Sequence, residues 1–384
     1  MVVIQGRAHQ AQKCLLVGIA AAVLGAGLSA CGAGENGSEG SGSDASVDVS
    51  AAAKGVEAVV NPPTSISQDV PLAGAIPEDK TVVFANSGLP ATGLIAGGVK
   101  EAVEAIGWTY DSVSYDQTNP ASLQGALQSA LTKGADAVII AGNPPATFGK
   151  KTIAAFEKAG VPIVVGSVCP VEAGGAITAG SLGCEQEDAA GRALADWFIS
   201  DSAGKGKALF QNVPAIPSLL AFVEAFEDEV DKKCSSCSVK VVKTTLEQVG
   251  QNQIVPTVVN TLRSDTSINY LFFDNAQWSK GIGPALEAAG LEDKVKIGGR
   301  SMDEGALGAL QKGTQSAWTA TAYNVGGYGN VDALLRLMTK SEGAENVEVL
   351  PFQIVTPETT SGLSAPYRFP ADALDQYLKL WEAS

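Results

Sequence analysis

From Lys80 onward, short apolar runs alternate with stretches of helical spacing, and at Lys207 the alternation starts again. The first round reads TVVFANSG (Thr81–Gly88), AGGVKEAVEAIG, TYDSVSYDQ, NPASLQGALQSALTKG, ADAVIIAGNPP, FGKKTIAAFEKAG and VPIVVGS. Asn119-Pro120 supplies a helix cap followed by a first-turn proline. Runs such as AVIIA and IVV are apolar throughout rather than alternating, which is the pattern of strands covered on both faces and hence of a parallel sheet between helices. The second round, KALFQNVPAIPSLLAFVEAFEDEV, echoes TVVFANSGLPATGLIAGGVKEAVEAI: a strand, Phe-x-Asn, a proline-containing loop, a helix. SVKVVKTTLEQV, INYLFFDNAQW and VKIGGRSMDEG continue it. QSAWTATAYNVGGYGNVDALLRLMTK then crosses back to the first lobe with a strand and a long helix, before a last strand, LPFQIVTPE, and a tail helix, PADALDQYLKLW.

The fold class expected is α/β: two similar lobes, each with a mostly parallel doubly wound sheet, joined by hinge crossovers. The lobes are expected over 77–182 and 183–320, with 321–345 returning to the first and 346–384 giving the last strand and tail helix. Ligands on such sheets bind beyond the carboxyl ends of the strands. Two sheets facing each other bring those ends to one cleft. The loops concerned are 86–92, 141–148, 166–169, 212–220, 274–278, 299–303 and 318–324.

The N-terminal end sets the compartment. Cys14–Gly27 carries no charge and follows a short segment holding Arg7 and Lys13. That matches a secretory signal, whose apolar core runs to about 7–15 residues, better than a spanning helix of about 20. Leu28-Ser29-Ala30-Cys31 resembles a bacterial lipobox, so residues 1–30 are expected to be a signal peptide and Cys31 the lipidated residue of the anchored chain. The Gly/Ser/acid tract after it cannot bury enough apolar surface to order itself, and 31–76 is expected to be a flexible linker, with 51–66 apolar enough to dock as a short helix stopped by Pro62-Pro63.

Counting excludes several chemistries. The single histidine, His9, lies in the segment to be removed. A Ser/His/Asp triad, a Cys/His pair and a His-ligated metal are therefore absent from the mature chain. A net charge of −15 repels phosphate backbones and excludes nucleic acid as a partner. Beyond Cys14 and Cys31, an exported chain is left with Cys169, Cys184, Cys234 and Cys237, an even set that favours disulfides over metal. Three pairings are possible; the two local ones, Cys169–Cys184 and Cys234–Cys237, are preferred.

The run VVFANSGLP, the strand GADAVIIAGNPP, AGVPIVV before the crossover, LFFDNAQWSKGIGPALEAAG and KIGGRSMDEGALGALQKG together resemble type I periplasmic solute-binding proteins of the ribose/galactose class, in lipoprotein form, over roughly Lys80 to Glu358. The resemblance implies a monomeric receptor, not an enzyme, without cofactor or metal. It would be anchored at the outer face of the membrane and would deliver a small solute to an ABC permease. It also implies a binding set: Asn86, Pro90, Thr92, Asn143, Phe148, Ser167, Leu220, Asn275, Trp278, Arg300, Trp318, Thr321 and Tyr323. Sugar binders of this class carry aromatics after the first loop's proline, an Asp-Arg pair after the fourth strand and often an arginine near the start of the second lobe's first helix. Here those places hold Ala91 and Thr92, Ser167 and Val168, and Leu220. Asn275 is kept, and Arg300 replaces the aspartate of a Gly-Phe-Asp-Gly stretch. An apolar cleft with one arginine suits an aromatic or largely apolar ligand bearing an anionic or carbonyl group, with Phe148, Trp278, Trp318 and Tyr323 as flat walls. A sugar receptor of the same family and a solute sensor signalling to a membrane receptor are the alternatives.

Overall fold

The apolar runs become strands of two separate sheets. A computed structural model describes residues 47–382 apart from 118 and 348; the signal, Cys31 and the first part of the linker lie outside the described residues. After helix α1 (Val49–Glu57), the first lobe runs β1 (Thr81–Asn86), α2 (Pro90–Ala105), β2 (Thr109–Ser114), α3 (Pro120–Thr132), β3 (Ala137–Ala141), α4 (Lys150–Ala159), β4 (Ile163–Gly166) and the short β5 (Ile177–Ala179). Its sheet has the order β2-β1-β3-β4-β5 and is parallel throughout. Every residue of β3 is buried, as a strand covered on both faces must be. Asn119 caps α3 by accepting from the Ala121 and Ser122 amides, and α4 stops at Gly160, whose φ of 68° is the left-handed conformation a side chain disfavours.

The second lobe runs α5 (Cys184–Asp201), β6 (Lys207–Asn212), α6 (Pro217–Lys233), β7 (Ser238–Lys243), α7 (Leu246–Gly250), α8 (Ile254–Ser264), β8 (Tyr270–Phe273), α9 (Ile282–Ala289), β9 (Lys296–Gly299), α10 (Glu304–Gln311) and β10 (Ala317–Thr321). The chain then gives α11 (Tyr323–Thr339), β11 (Phe352–Val355) and α12 (Ala373–Trp381). The second sheet has the order β11-β10-β9-β8-β6-β7, antiparallel only between β10 and β11. The strand in QSAWTATA thus stays on the second sheet, and only the helix after it crosses back. That helix, α11, meets α2 at unusually close range. A Cβ on Gly98 would lie 2.0 Å from the Asn324 carbonyl oxygen, and one on Gly327 would lie 2.4 Å from that of Ile95. Glycine at both places lets the helices touch backbone to backbone, burying Ile95, Val99, Val325 and Val331 completely or nearly so.

The crossover after β5 is tied to α11, because Asn330 Oδ1 accepts from the Ser181 amide at 2.9 Å and Ser181 Oγ donates to the Gly326 carbonyl. The Cys169–Cys184 disulfide spans the same crossover, from the loop after β4 to the first residue of α5; Cys234–Cys237 closes the turn between α6 and β7.

The docking expected for 51–66 extends to both sides: the chain is seated from Val47 on and past Ile66, which corrects the expectation of a flexible linker through residue 76. α1 packs on α5 with Ala52 fully buried, and the Val59 carbonyl accepts from the Ile354 amide at 2.8 Å, which covers the edge of β11. Past Pro62-Pro63 the strap docks on the other lobe. Gln376 of α12 donates to the Thr64 carbonyl and accepts from the Ile66 amide. Gln68 donates to Asp332 at 3.2 Å, and Arg336 donates to the Val70 carbonyl at 2.5 Å. Asp332 also accepts from Arg336 and from the Trp381 indole, so one buried carboxylate joins strap, α11 and α12.

Candidate functional site

The carboxyl ends of β1, β3 and β4 face those of β6, β8, β9 and β10 across a cavity of about 160 Å³. The first lobe contributes Leu89–Thr92 from the start of α2, Gln117, Gly142 and Pro144 after β3, Ser167 and Val168 after β4, and Leu182 of the crossover. The second contributes Ile216–Leu219, Asn275, Gln277, Trp278, Arg300 and Tyr323. Among these described residues Arg300 alone carries charge.

Arg300 is not free. Its Nε donates to Glu187 Oε2 at 2.7 Å and its Nη2 to Glu187 Oε1 at 2.5 Å, a two-pronged pairing with a side chain that is 3 % exposed. Nη1 donates to Ser301 Oγ at 3.0 Å, that hydroxyl lies 2.6 Å from the Tyr323 hydroxyl, and the guanidinium sits 5.9 Å from the centre of the Phe222 ring. Burial opposes its charge, but Glu187 and then Tyr323 outweigh that and hold its pKa above the usual arginine value. Asp303 instead caps α10, accepting from the Ala306 amide. Arg300 therefore presents the cleft with hydrogen-bond donors whose charge Glu187 has already balanced.

Of the other expected residues, Pro90, Thr92, Ser167, Asn275, Trp278 and Tyr323 line the cleft. Thr92 Oγ1 donates to the Leu89 carbonyl at 2.8 Å, fixing the first turn of α2. Asn275 Oδ1 accepts from the Gln277 amide, fixing the side chain at the edge of the cavity it lines. Ser167, at a φ of 54°, holds its Oγ buried with no hydrogen-bond partner. The Trp278 Nε1 also lacks a partner, facing Asp274 short of hydrogen-bond geometry.

Two expected walls are corrected. Phe148 is fully buried in the first lobe's core with Ile140, Phe156 and Val165, because the helical turn Pro145–Thr147 swings it inward. Trp318 is fully buried on β10, between β9 and β11, its Nε1 donating to Gln315 at 2.8 Å. Leu219 rather than Leu220 reaches the cavity, and Thr321 pairs with Phe352 at the end of β10 without lining it. Asn86 closes its own turn by accepting from the Gly88 amide at 2.8 Å, and Asn143 accepts from the buried Tyr115 hydroxyl, supporting the Gly142–Pro144 wall from behind. Gln117, Ser218, Gln277 and Glu187 were not anticipated. Gln117 is in a loop, Ser218 in the first turn of α6 and Gln277 in the short helical turn Ala276–Ser279, all polar positions where composition carries no sign of direction.

The fold and cleft are those of a two-lobed binding protein, and a family model described as a periplasmic binding protein domain matches residues 82–342. The chain belongs to the periplasmic binding protein family. It has the type I arrangement of ABC-transporter solute-binding proteins, and membership implies a place outside the cytoplasm. Among solved structures, it is similar to an ABC transporter periplasmic solute-binding protein from Actinobacillus succinogenes 130z with bound D-allose, at 17% identity and a TM-score of 0.63, covering 73% of this chain and 99% of that one. A solute-binding protein from Burkholderia graminis C4D1M in complex with D-arabinose gives 16% identity and a TM-score of 0.63 over 76% of this chain and 99% of that one. An arabinose-binding protein from Geobacillus stearothermophilus gives 17% identity and 0.61, over 75% and 100%. At these identities the likeness concerns the fold. No curated protein matches the sequence.

Proposed function

We propose that this periplasmic binding protein captures a small, uncharged, hydroxyl-bearing solute of the sugar class in its interlobe cleft and presents it to an ABC permease, held at the membrane as a monomer through lipidated Cys31. The observation that carries the reading is the Arg300–Glu187 pairing. An arginine already balanced by a carboxylate no longer favours an anion, and it offers oriented donors to neutral oxygens instead. This replaces the expectation of an apolar acid, which also needed Phe148 and Trp318 as walls. Trp278 and Tyr323 remain as aromatic surface at the cleft, and the unpartnered Ser167 Oγ calls for a polar group from the solute. A cavity of about 160 Å³ is below the ~300–1,000 Å³ of pockets for drug-sized ligands and fits a small solute. The sugars named for the similar structures support the same class.

The test is a thermal-shift screen with D-allose, D-arabinose, other pentoses and hexoses, and aromatic acids. A bound solute at 100 times its dissociation constant adds about 2.7 kcal/mol. Stabilisation by one or more neutral sugars, recovered unchanged after binding, is expected. Stabilisation by the acids alone, or chemical conversion of the solute, would overturn the reading.

A further inference from the structure

β6 and β8 lie side by side with Gln211 opposite Phe273, so the next residues, Asn212 and Asp274, emerge together at the carboxyl ends of the strands; both are fully buried. Asp274 Oδ2 accepts from the Val213 amide at 2.5 Å and from Asn212 Nδ2 at 3.1 Å. The same Asn212 nitrogen donates to the Leu219 carbonyl at 3.2 Å. Val213 and Leu219 bracket the segment that runs from the end of β6 into the first turn of α6, whose Ile216–Leu219 stretch forms one wall of the cleft. Both ends are therefore tied to a single carboxylate–amide pair. In the other direction Asp274 leads straight into Asn275, Gln277 and Trp278, the next wall, and the Ala276 amide donates to the Arg300 carbonyl at 2.9 Å, joining that wall to a third.

We propose that Asp274 is a positioning residue for solute capture, holding the Ile216–Leu219 and Asn275–Trp278 walls in register through the bonds it accepts from Val213 and Asn212. The assignment rests on the cleft being the solute site. Asp274 itself touches no part of the cavity, and its influence passes through the walls. The groups around it are few: Arg300 faces it from the loop after β9, with Glu187 of α5 clasped behind; Asn212 and the Val213 amide face it from β6, and the Trp278 indole from the turn after β8. Burial pushes its carboxyl up to about 7, against the lowering effects of the Val213 amide, Arg300 and Asn212. The closed wall holds that proton more tightly than an opened, solvated one would, so the proton is lost across neutrality and the wall loosens as the pH rises.

Hydrogen–deuterium exchange of the solute-free protein tests this, read on peptides covering 212–220 from pH 6 to 8 and corrected for intrinsic exchange. In the unaltered protein, protection of this stretch should fall about tenfold across the range, while β1 and α2 stay level. Asp274→Asn keeps an acceptor oxygen but cannot ionise, so its profile should be flat. Asp274→Leu keeps the branching and loses both bonds, and should lower protection about tenfold at pH 6, where the unaltered wall is most closed. A pH-dependent fall that persists in Asp274→Asn would overturn the proposal. So would wild-type protection in Asp274→Leu. Should the leucine variant fail to fold, the asparagine profile decides alone. No solute is used, so failure here is distinct from failure of the sugar screen.

Discussion

Glu187→Gln isolates the charge pair at the cleft. The substitution keeps shape and one acceptor oxygen but leaves the Arg300 guanidinium without its counter-charge. Breaking a buried pair by removing one partner costs about 3–5 kcal/mol. Two features reduce that here: the Arg300 side chain is 13 % exposed, and the Asp274 carboxyl also faces it. An expected loss of about 2–4 kcal/mol follows. At roughly 2–4 °C per kcal/mol for a large domain, the melting temperature at pH 7 should fall by roughly 4–16 °C. Differential scanning calorimetry reads the shift directly. Glu187→Gln combined with Arg300→Met should regain part of the loss, because no uncompensated charge is then left buried. A single variant melting within about 1 °C of the unaltered protein would refute the reasoning. A double variant whose loss equals the sum of the two single losses would refute it as well.

Asp274 is expected to cost stability as the pH rises. Its folded pKa of about 7 lies above the ordinary 3.8, so between those values the folded state holds a proton that the unfolded chain has released. Stability present below about pH 4 is therefore lost progressively up to about pH 7, by at most about 4 kcal/mol. Asp274→Asn should gain more in melting temperature at pH 8 than at pH 4, and an equal difference at both would sink the argument. Gly327→Ala drives a methyl into the backbone of α2 and should destabilise by about 1–3 kcal/mol or more in urea unfolding, whereas an alanine at Gly97, where a Cβ meets nothing within 4 Å, should be tolerated. Cys31→Ser should move the protein from the membrane to the soluble fraction on cell fractionation; retention in the membrane would refute the anchor.

The two-lobed, mostly parallel architecture was legible because buried parallel strands announce themselves: Ala137–Ala141 is apolar at every position, and Asn119-Pro120 and Gly160 mark helix ends by their own backbone chemistry. The location of the cleft followed from topology, since parallel strands can gather loops only at their carboxyl ends. What resisted reading was direction. Phe148 and Trp318 sit within three residues of a strand or loop end, and whether such a ring turns inward depends on one local turn that composition does not encode. Glu187 looked like any acid in an amphipathic helix; its partner lies 113 residues away, a distance no local pattern spans. The strap was misread for a related reason. Residues 61–70 are mostly polar, yet Gln68 is 3 % exposed because a carboxylate and a carbonyl of the other end of the chain receive its amide.

The close seat of α11 on α2 also governs the order in which the molecule can be assembled. The second lobe, α5 through β10, is one contiguous stretch of chain lacking only its edge strand β11, so it can form as soon as residue 321 is available. The first lobe is synthesised earlier but completed later. The apolar side of α2, with Ile95, Val99 and Val103, has no cover until residues 323–339 arrive, and the strap over 64–76 has no seat until α12 follows. Contacts made across such separations in sequence are slow to form. The lobe that emerges first is therefore the one that waits, exposing a helix face for which a chaperone would have to stand in until the far end of the chain closes over it.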